Sequence, residues 1–134
     1  MAYMTRATTK GGRDGRAVLE EGGFGLAMAL PKAVGGSGEG TNPEQLFALG
    51  FSSCFGSALL AIARKHGVDA SKAAVTAEVT LDKDEVSFAL SVKLSVHMPG
   101  VAHEVAETIL HEAHEICPYS RATRNNVPVT LELI

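Results

Sequence analysis

Leu46 to Ala63, LFALGFSSCFGSALLAIA, is an 18-residue run without a single charged side chain. As a helix it is apolar nearly all round, so whatever this chain folds into must cover the run on most faces. It is not a clean membrane span. Gly50, Gly56, Ser52, Ser53 and Ser57 interrupt it, and a spanning helix needs about 20 mostly apolar residues. It reads as a core helix. Thr41 and Asn42 ahead of Pro43 and Glu44 make a helix start with proline in the first turn. The helix is expected to run to about Lys65 or His66, with Gly67 as its C-terminal cap.

Segments of period two surround this helix. FGLAMAL (24–30) alternates, with Phe24, Leu26, Met28 and Leu30 on one face, and Pro31 is expected to end it. AVTAEVTL (74–81) and VSFALSVKLSV (86–96) alternate on either side of DKDE, as in a hairpin with one wet face. Their inward sets are Val75, Ala77, Val79 and Leu81, then Val86, Phe88, Leu90, Val92, Leu94 and Val96. Ala2 to Thr9 is a weaker strand, GGRDGR (11–16) a turn, GGSGEGTNP (35–43) a glycine-rich connection and VPVTLELI (127–134) a last strand. A second helix is expected over 101–116, with a stripe of Val105, Ile109, Leu110, Ala113 and Ile116. Pro118 must end it or start a short new helix through Arg124. The order predicts an α+β fold with antiparallel sheet packed on helices.

With 134 residues, 46% hydrophobic and 20% charged, the chain is sized for one domain over 1–134 that buries about two thirds of its unfolded surface. The net charge of −3, with no basic block, argues against a nucleic-acid or anionic-membrane partner. MAYMTRATTKGGRDGR has no apolar signal region, so the expected location is the cytoplasm. There a structural disulfide is disfavoured and a transient catalytic one is not.

Cys54 and Cys117 are the only cysteines. Cys54 sits inside the apolar run, where a cysteine is commonly a small buried hydrophobe. Cys117 stands where a helix must break. If Pro118 opens a new turn, Cys117 caps it, and the positive helix end together with Arg121 and Arg124 favours a thiolate. The two are 63 positions apart. That is neither a CxxC nor a metal spacing, so residue chemistry alone leaves open whether they form a pair.

TNPEQLFALGFSSCF (41–55), CPYSRATRNNVPV (117–129) and GGRDGRAV (11–18) resemble three blocks of the Ohr (organic hydroperoxide resistance) branch of the Ohr/OsmC family, and they lie along the chain in the order expected of it. The resemblance implies a thiol-dependent peroxidase that reduces organic hydroperoxides to alcohols. It implies an intertwined homodimer with antiparallel sheets wrapped around central helices. It also implies an external dithiol reductant, a lipoyl group on a partner protein, in place of a resident cofactor. Residue by residue, Cys54 matches the peroxidatic cysteine and Cys117 the resolving one. Arg13 and Glu44 match the arginine and glutamate that organise the site. Three positions depart from the pattern: Phe51 stands where tyrosine is common, Arg121 where asparagine is usual, and the LDKDEVSF turn is shorter.

That chemistry needs such groups. A free cysteine titrates near ~8.5 and an apolar helix would keep it protonated. A guanidinium cannot deprotonate, so Arg13 would hold a Cys54 thiolate, and Glu44 would fix Arg13 bidentately. Glu44 and Cys54 are ten residues, about 15 Å, apart on one helix. The Glu44 serving Cys54 is therefore expected from the other subunit, unless the helix bends before Gly50. Phe47, Phe51 and Phe55 suit an apolar substrate group, and equally suit a core helix. His103, Glu107, His111 and His114 share a helix face that reads as solvated rather than metal-binding. The alternatives to a peroxidase are a non-catalytic module for apolar ligands and a Cys/His metal-binding protein.

Overall fold

The computed structural model describes residues 1–134, which form two compact units, Met1–Leu46 and Phe47–Ile134. In the first, β1 (Ala7–Lys10), β2 (Arg16–Leu19) and β3 (Gly25–Ala27) make a small antiparallel sheet in that order. The expected strand over 2–9 starts only at Ala7. β2 was hidden from pattern reading because it opens on an arginine and its residues are mostly exposed. Its Ala17, Val18 and Leu19 are three apolar residues in a row, which carry no alternation. The alternating stretch 24–30 pairs only over Gly25–Ala27, and Phe24 is 56% exposed instead of inward. Pro31 does not end that strand but leads into a 3-10 turn, Lys32–Val34. Met28 bridges to Thr41 in parallel, and backbone bonds from Ala29 N–H to Thr41 and from Thr41 N–H to Ala27 return the chain towards the first helix.

α1 (Pro43–Lys65) is a single helix of 23 residues. Asn42 and Gln45 exchange bonds, Gln45 N–H to Asn42 Oδ1 at 2.9 Å and Asn42 N–H to Gln45 Oε1 at 3.2 Å. This is a reciprocal cap that satisfies two orphan donors. At the other end Gly67 N–H bonds Arg64 and Val68 N–H bonds Ala63, the pairing of a Schellman stop.

The second unit adds β4 (Ala74–Lys83), β5 (Phe88–His97), α2 (His103–Ile116), α3 (Pro118–Thr123) and β6 (Val129–Leu133). β4 and β5 form the expected hairpin, but both strands run on and the turn falls at 84–87, where Asp84 Oδ1 accepts from Val86 and Ser87 N–H. Val86 is therefore a turn residue, 93% exposed, and Phe88 at the hairpin tip is 56% exposed. β6 pairs with β5 in parallel, so this sheet is mixed, not purely antiparallel. Two helices separate β5 from β6, long enough to carry the chain back to run the same way.

Val92, Leu94 and Val96 of β5 pack with Phe51, Phe55, Leu59 and Ile62 of α1 and with Ala106, Ile109, Leu110 and Ala113 of α2. The α2 stripe is rotated from the expected one. Ala106 is buried while Val105 and Ile116 are 36% and 47% exposed. Spacing narrows a helical stripe to a sector, and packing against β5 selects the half of it that is covered.

Candidate active site

Cys54 projects from the middle of α1 and is half-buried. Cys117 is the single residue between α2 and α3, the last cap of one and the first cap of the other, with an extended backbone (φ −60°, ψ 123°). The fold brings these residues together from 63 positions apart, with Sγ–Sγ at 3.7 Å. A disulfide needs about 2.05 Å, so both are free thiols, Cys117 fully buried.

The environment of Cys54 is double-edged. Burial pushes its thiol up, the Tyr119 backbone N–H opposes that, and the adjacent Cys117 sulfur raises it further, since two neighbouring thiols resist carrying two negative charges. The helix end expected to act on Cys117 therefore aims at Cys54 instead. Tyr119 is the second residue of α3, where N–H groups have no intrahelical partner. Cys117, as cap, makes no side-chain bond to the helix it opens.

Three rings meet on α1 and α3, the helices that carry and follow the two cysteines. Phe47 and Phe51 are 5.9 Å apart edge to face, and Tyr119 stands 6.1 Å from Phe47 and 5.7 Å from Phe51. Tyr119 packs over Gly50, where an added Cβ would lie 2.9 Å from its hydroxyl oxygen. Gly50 is thus the gap that admits the ring. Phe55 makes none of these ring contacts and is fully buried in the core. Tyr119 was not among the residues singled out by sequence. Its position two after Cys117 was the available signal, and only the turn of α3 carries it back to α1.

In the first unit Arg13 and Glu44 form a bidentate pair, Nη1–Oε2 and Nη2–Oε1 both 2.8 Å. The Arg13 bond holds the Glu44 carboxyl below the usual range against the upward pull of burial, and the same bond raises the Arg13 pKa. Arg13 lies in a 3-10 turn, Gly12–Asp14, between β1 and β2. Asp14 Oδ1 accepts from Leu30 N–H at 3.3 Å. A Cβ at Gly15 would fall 1.6 Å from the Lys10 carbonyl oxygen, so the tight turn that presents Arg13 requires glycine there. Glu44 sits in the first turn of α1.

The histidines split up. Glu107 stands between His103 (3.7 Å) and His111 (3.4 Å) as exposed i,i+4 pairs, while His114 turns away to Ser120, Nδ1–Oγ 2.9 Å. No three His, Cys, Asp or Glu side chains gather closely enough to hold a metal ion.

Nearly the whole length of this chain is matched among known proteins. The OsmC-like protein family covers residues 36–132. The chain belongs to that family, in its organic hydroperoxide resistance branch. An organic hydroperoxide resistance protein of Xanthomonas axonopodis pv. citri is 38% identical over 98% of this chain and 94% of its own. The crystal structure of an organic hydroperoxide resistance protein from Legionella pneumophila superposes with a TM-score of 0.93 at 40% identity, covering 99% of this chain and 98% of that one. A Vibrio cholerae relative, crystallised with captopril in one of its active sites, matches with a TM-score of 0.93 at 41% identity, over 99% and 92% of the two chains.

Proposed function

We propose that this protein is a thiol peroxidase that reduces organic hydroperoxides to alcohols. The observation that carries the reading is the 3.7 Å approach of Cys54 and Cys117 beside the Phe47, Phe51 and Tyr119 rings. The names of its relatives point to the same substrate class. The Cys54 thiolate attacks the terminal oxygen of ROOH. The O–O bond breaks, ROH leaves with a proton, and Cys54 becomes a sulfenic acid. Cys117 then displaces water from that sulfur to close a disulfide. An external dithiol reopens it by exchange and is itself oxidised to a disulfide. A lipoyl group on a partner protein fits that role, and the scheme uses no metal or resident cofactor.

Arg13, clamped by Glu44, supplies the positive charge that keeps Cys54 ionised against its burial. The protein works as a homodimer in the reducing cytoplasm. An apolar surface beside the nucleophile rewards an alkyl group by roughly 0.8 kcal/mol per buried methylene.

Steady-state turnover with a bulky organic hydroperoxide, hydrogen peroxide and several reductants tests the reading. Higher catalytic efficiency for the organic peroxide, sustained by dihydrolipoamide, is expected. Binding of apolar compounds with both thiols untouched by peroxide would make the protein a carrier instead.

A further inference from the structure

Cys117 has no side-chain tie of its own to either helix it joins, yet its sulfur must close on Cys54 by about 1.7 Å to reach disulfide length. On both sides the chain is helical. Cys117 N–H bonds Ala113, and Arg121 N–H bonds Cys117, each at 2.9 Å. The free variable is the angle between α2 and α3 at one extended residue. Two hydrogen bonds span that junction, both from residue 114, beside a long ion pair of Arg124 with Glu115 at 4.0 Å. His114 Nδ1 meets Ser120 Oγ at 2.9 Å, and Arg124 Nη2 donates to the His114 carbonyl at 2.7 Å. His114 lies three residues before Cys117 and Ser120 three after. Ser120 is fully buried, so its hydroxyl has no solvent to turn to.

We propose that His114 and Ser120 are positioning residues for Cys117, a clasp across the junction that holds its sulfur within reach of Cys54. A hydrogen bond is directional where apolar packing is not, which suits it to fixing an angle. The clasp rests on Cys54 and Cys117 being a redox pair but not on peroxide being the oxidant.

The test equilibrates the full chain with reduced and oxidised glutathione and reads the Cys54–Cys117 disulfide by thiol alkylation and mass spectrometry. One oxidised glutathione takes the two thiol hydrogens and leaves as two reduced molecules. His114→Ala and Ser120→Ala are each expected to shift this equilibrium towards the dithiol by tenfold or more, about 30 mV. The double variant should be no worse than either single, because both remove one bond. His114→Asn, whose amide nitrogen falls near the ring Nδ1, should restore the constant to within about twofold, the usual error of such a cycle. His114→Gln, equally polar but with its amide one bond further out, should not, and this pair decides the matter if an alanine variant fails to fold. Constants unchanged while Tm falls, a shift towards the disulfide, additive effects, or Asn behaving as Gln each overturn the clasp. A wild type that forms no such disulfide overturns the clasp and the peroxidase reading together. The expected pattern in a protein that leaves hydroperoxides intact sinks only the latter.

Discussion

At the residue scale the two sulfurs differ in their surroundings. Cys54 is half-buried and can meet a small molecule, whereas Cys117 is sealed and can meet only Cys54. Cys54→Ser should abolish peroxide reduction. Cys117→Ser should consume about one equivalent and stall at the sulfenic acid. Mass spectrometry of peroxide-treated wild type should find the disulfide within one chain, and intermolecular disulfides alone would remove Cys117 from its resolving role. Burial raises the Cys54 thiol, so ionisation at neutral pH needs help. Arg13→Ala should depress activity strongly near pH 7 and recover part of it as pH rises, because hydroxide then does what the guanidinium did. A flat profile in the variant would assign Arg13 to binding or to the transition state. The ion pair has the opposite pH sense. Glu44 is held below its ordinary value, so its contribution is complete above about 4.3 and lost as pH falls through the depressed folded value.

At the scale of elements, α1 serves as core and as platform for the chemistry. Phe55 is fully buried between α1 and the β5–α2 core. Phe55→Ala should cost ~3–5 kcal/mol, read as a shift in denaturant midpoint without a change in slope. A loss below 1 kcal/mol would show that the site collapses around the gap. Gly50 has the other duty. An alanine there gains roughly 1 kcal/mol of helix propensity but must push the Tyr119 ring aside. Gly50→Ala should leave stability near wild type and raise KM for bulky hydroperoxides more than for small ones. Equal effects on both would mean that Tyr119 does not line the substrate's path.

At the scale of the whole molecule the question is which chain completes which site. α1 is continuous from Pro43 to Lys65, with no break between Glu44 and Gly50, so Glu44 and Cys54 are separated along it by about 15 Å. If Arg13 serves Cys54 as proposed, a glutamate with its arginine does not easily cover that span, and a homodimer would meet it with two composite sites across a two-fold axis, each drawing Arg13 and Glu44 from one subunit and Cys54 from the other. Mixed refolding of Cys54→Ser with Arg13→Ala subunits reports on this. Half the dimers then hold both chains and one of their two sites is intact, so activity should return to about a quarter of wild type. No recovery would mean that Arg13 serves Cys54 of its own chain. Leu49 and Leu60, 63% and 42% exposed on α1, are apolar area that such a partner would cover.

The sequence determined by itself whatever depends on local chemistry. An uncharged run of 18 residues broken by serines and glycines read as a core helix, Asn42 and Gly67 marked its ends, and the alternation of 74–96 marked a hairpin. It also carried three motif blocks long enough to point to a family. Tertiary structure decided everything that depends on distance between remote positions. That includes the approach of Cys54 to Cys117, the return of Tyr119 over Gly50, and the pairing of Arg13 with Glu44 across 31 positions. It also decided which edge of the α2 stripe is covered and that β6 runs parallel to β5. A one-dimensional pattern records which face of an element is apolar. Which other element comes to lie against that face is set by the packing of the whole chain.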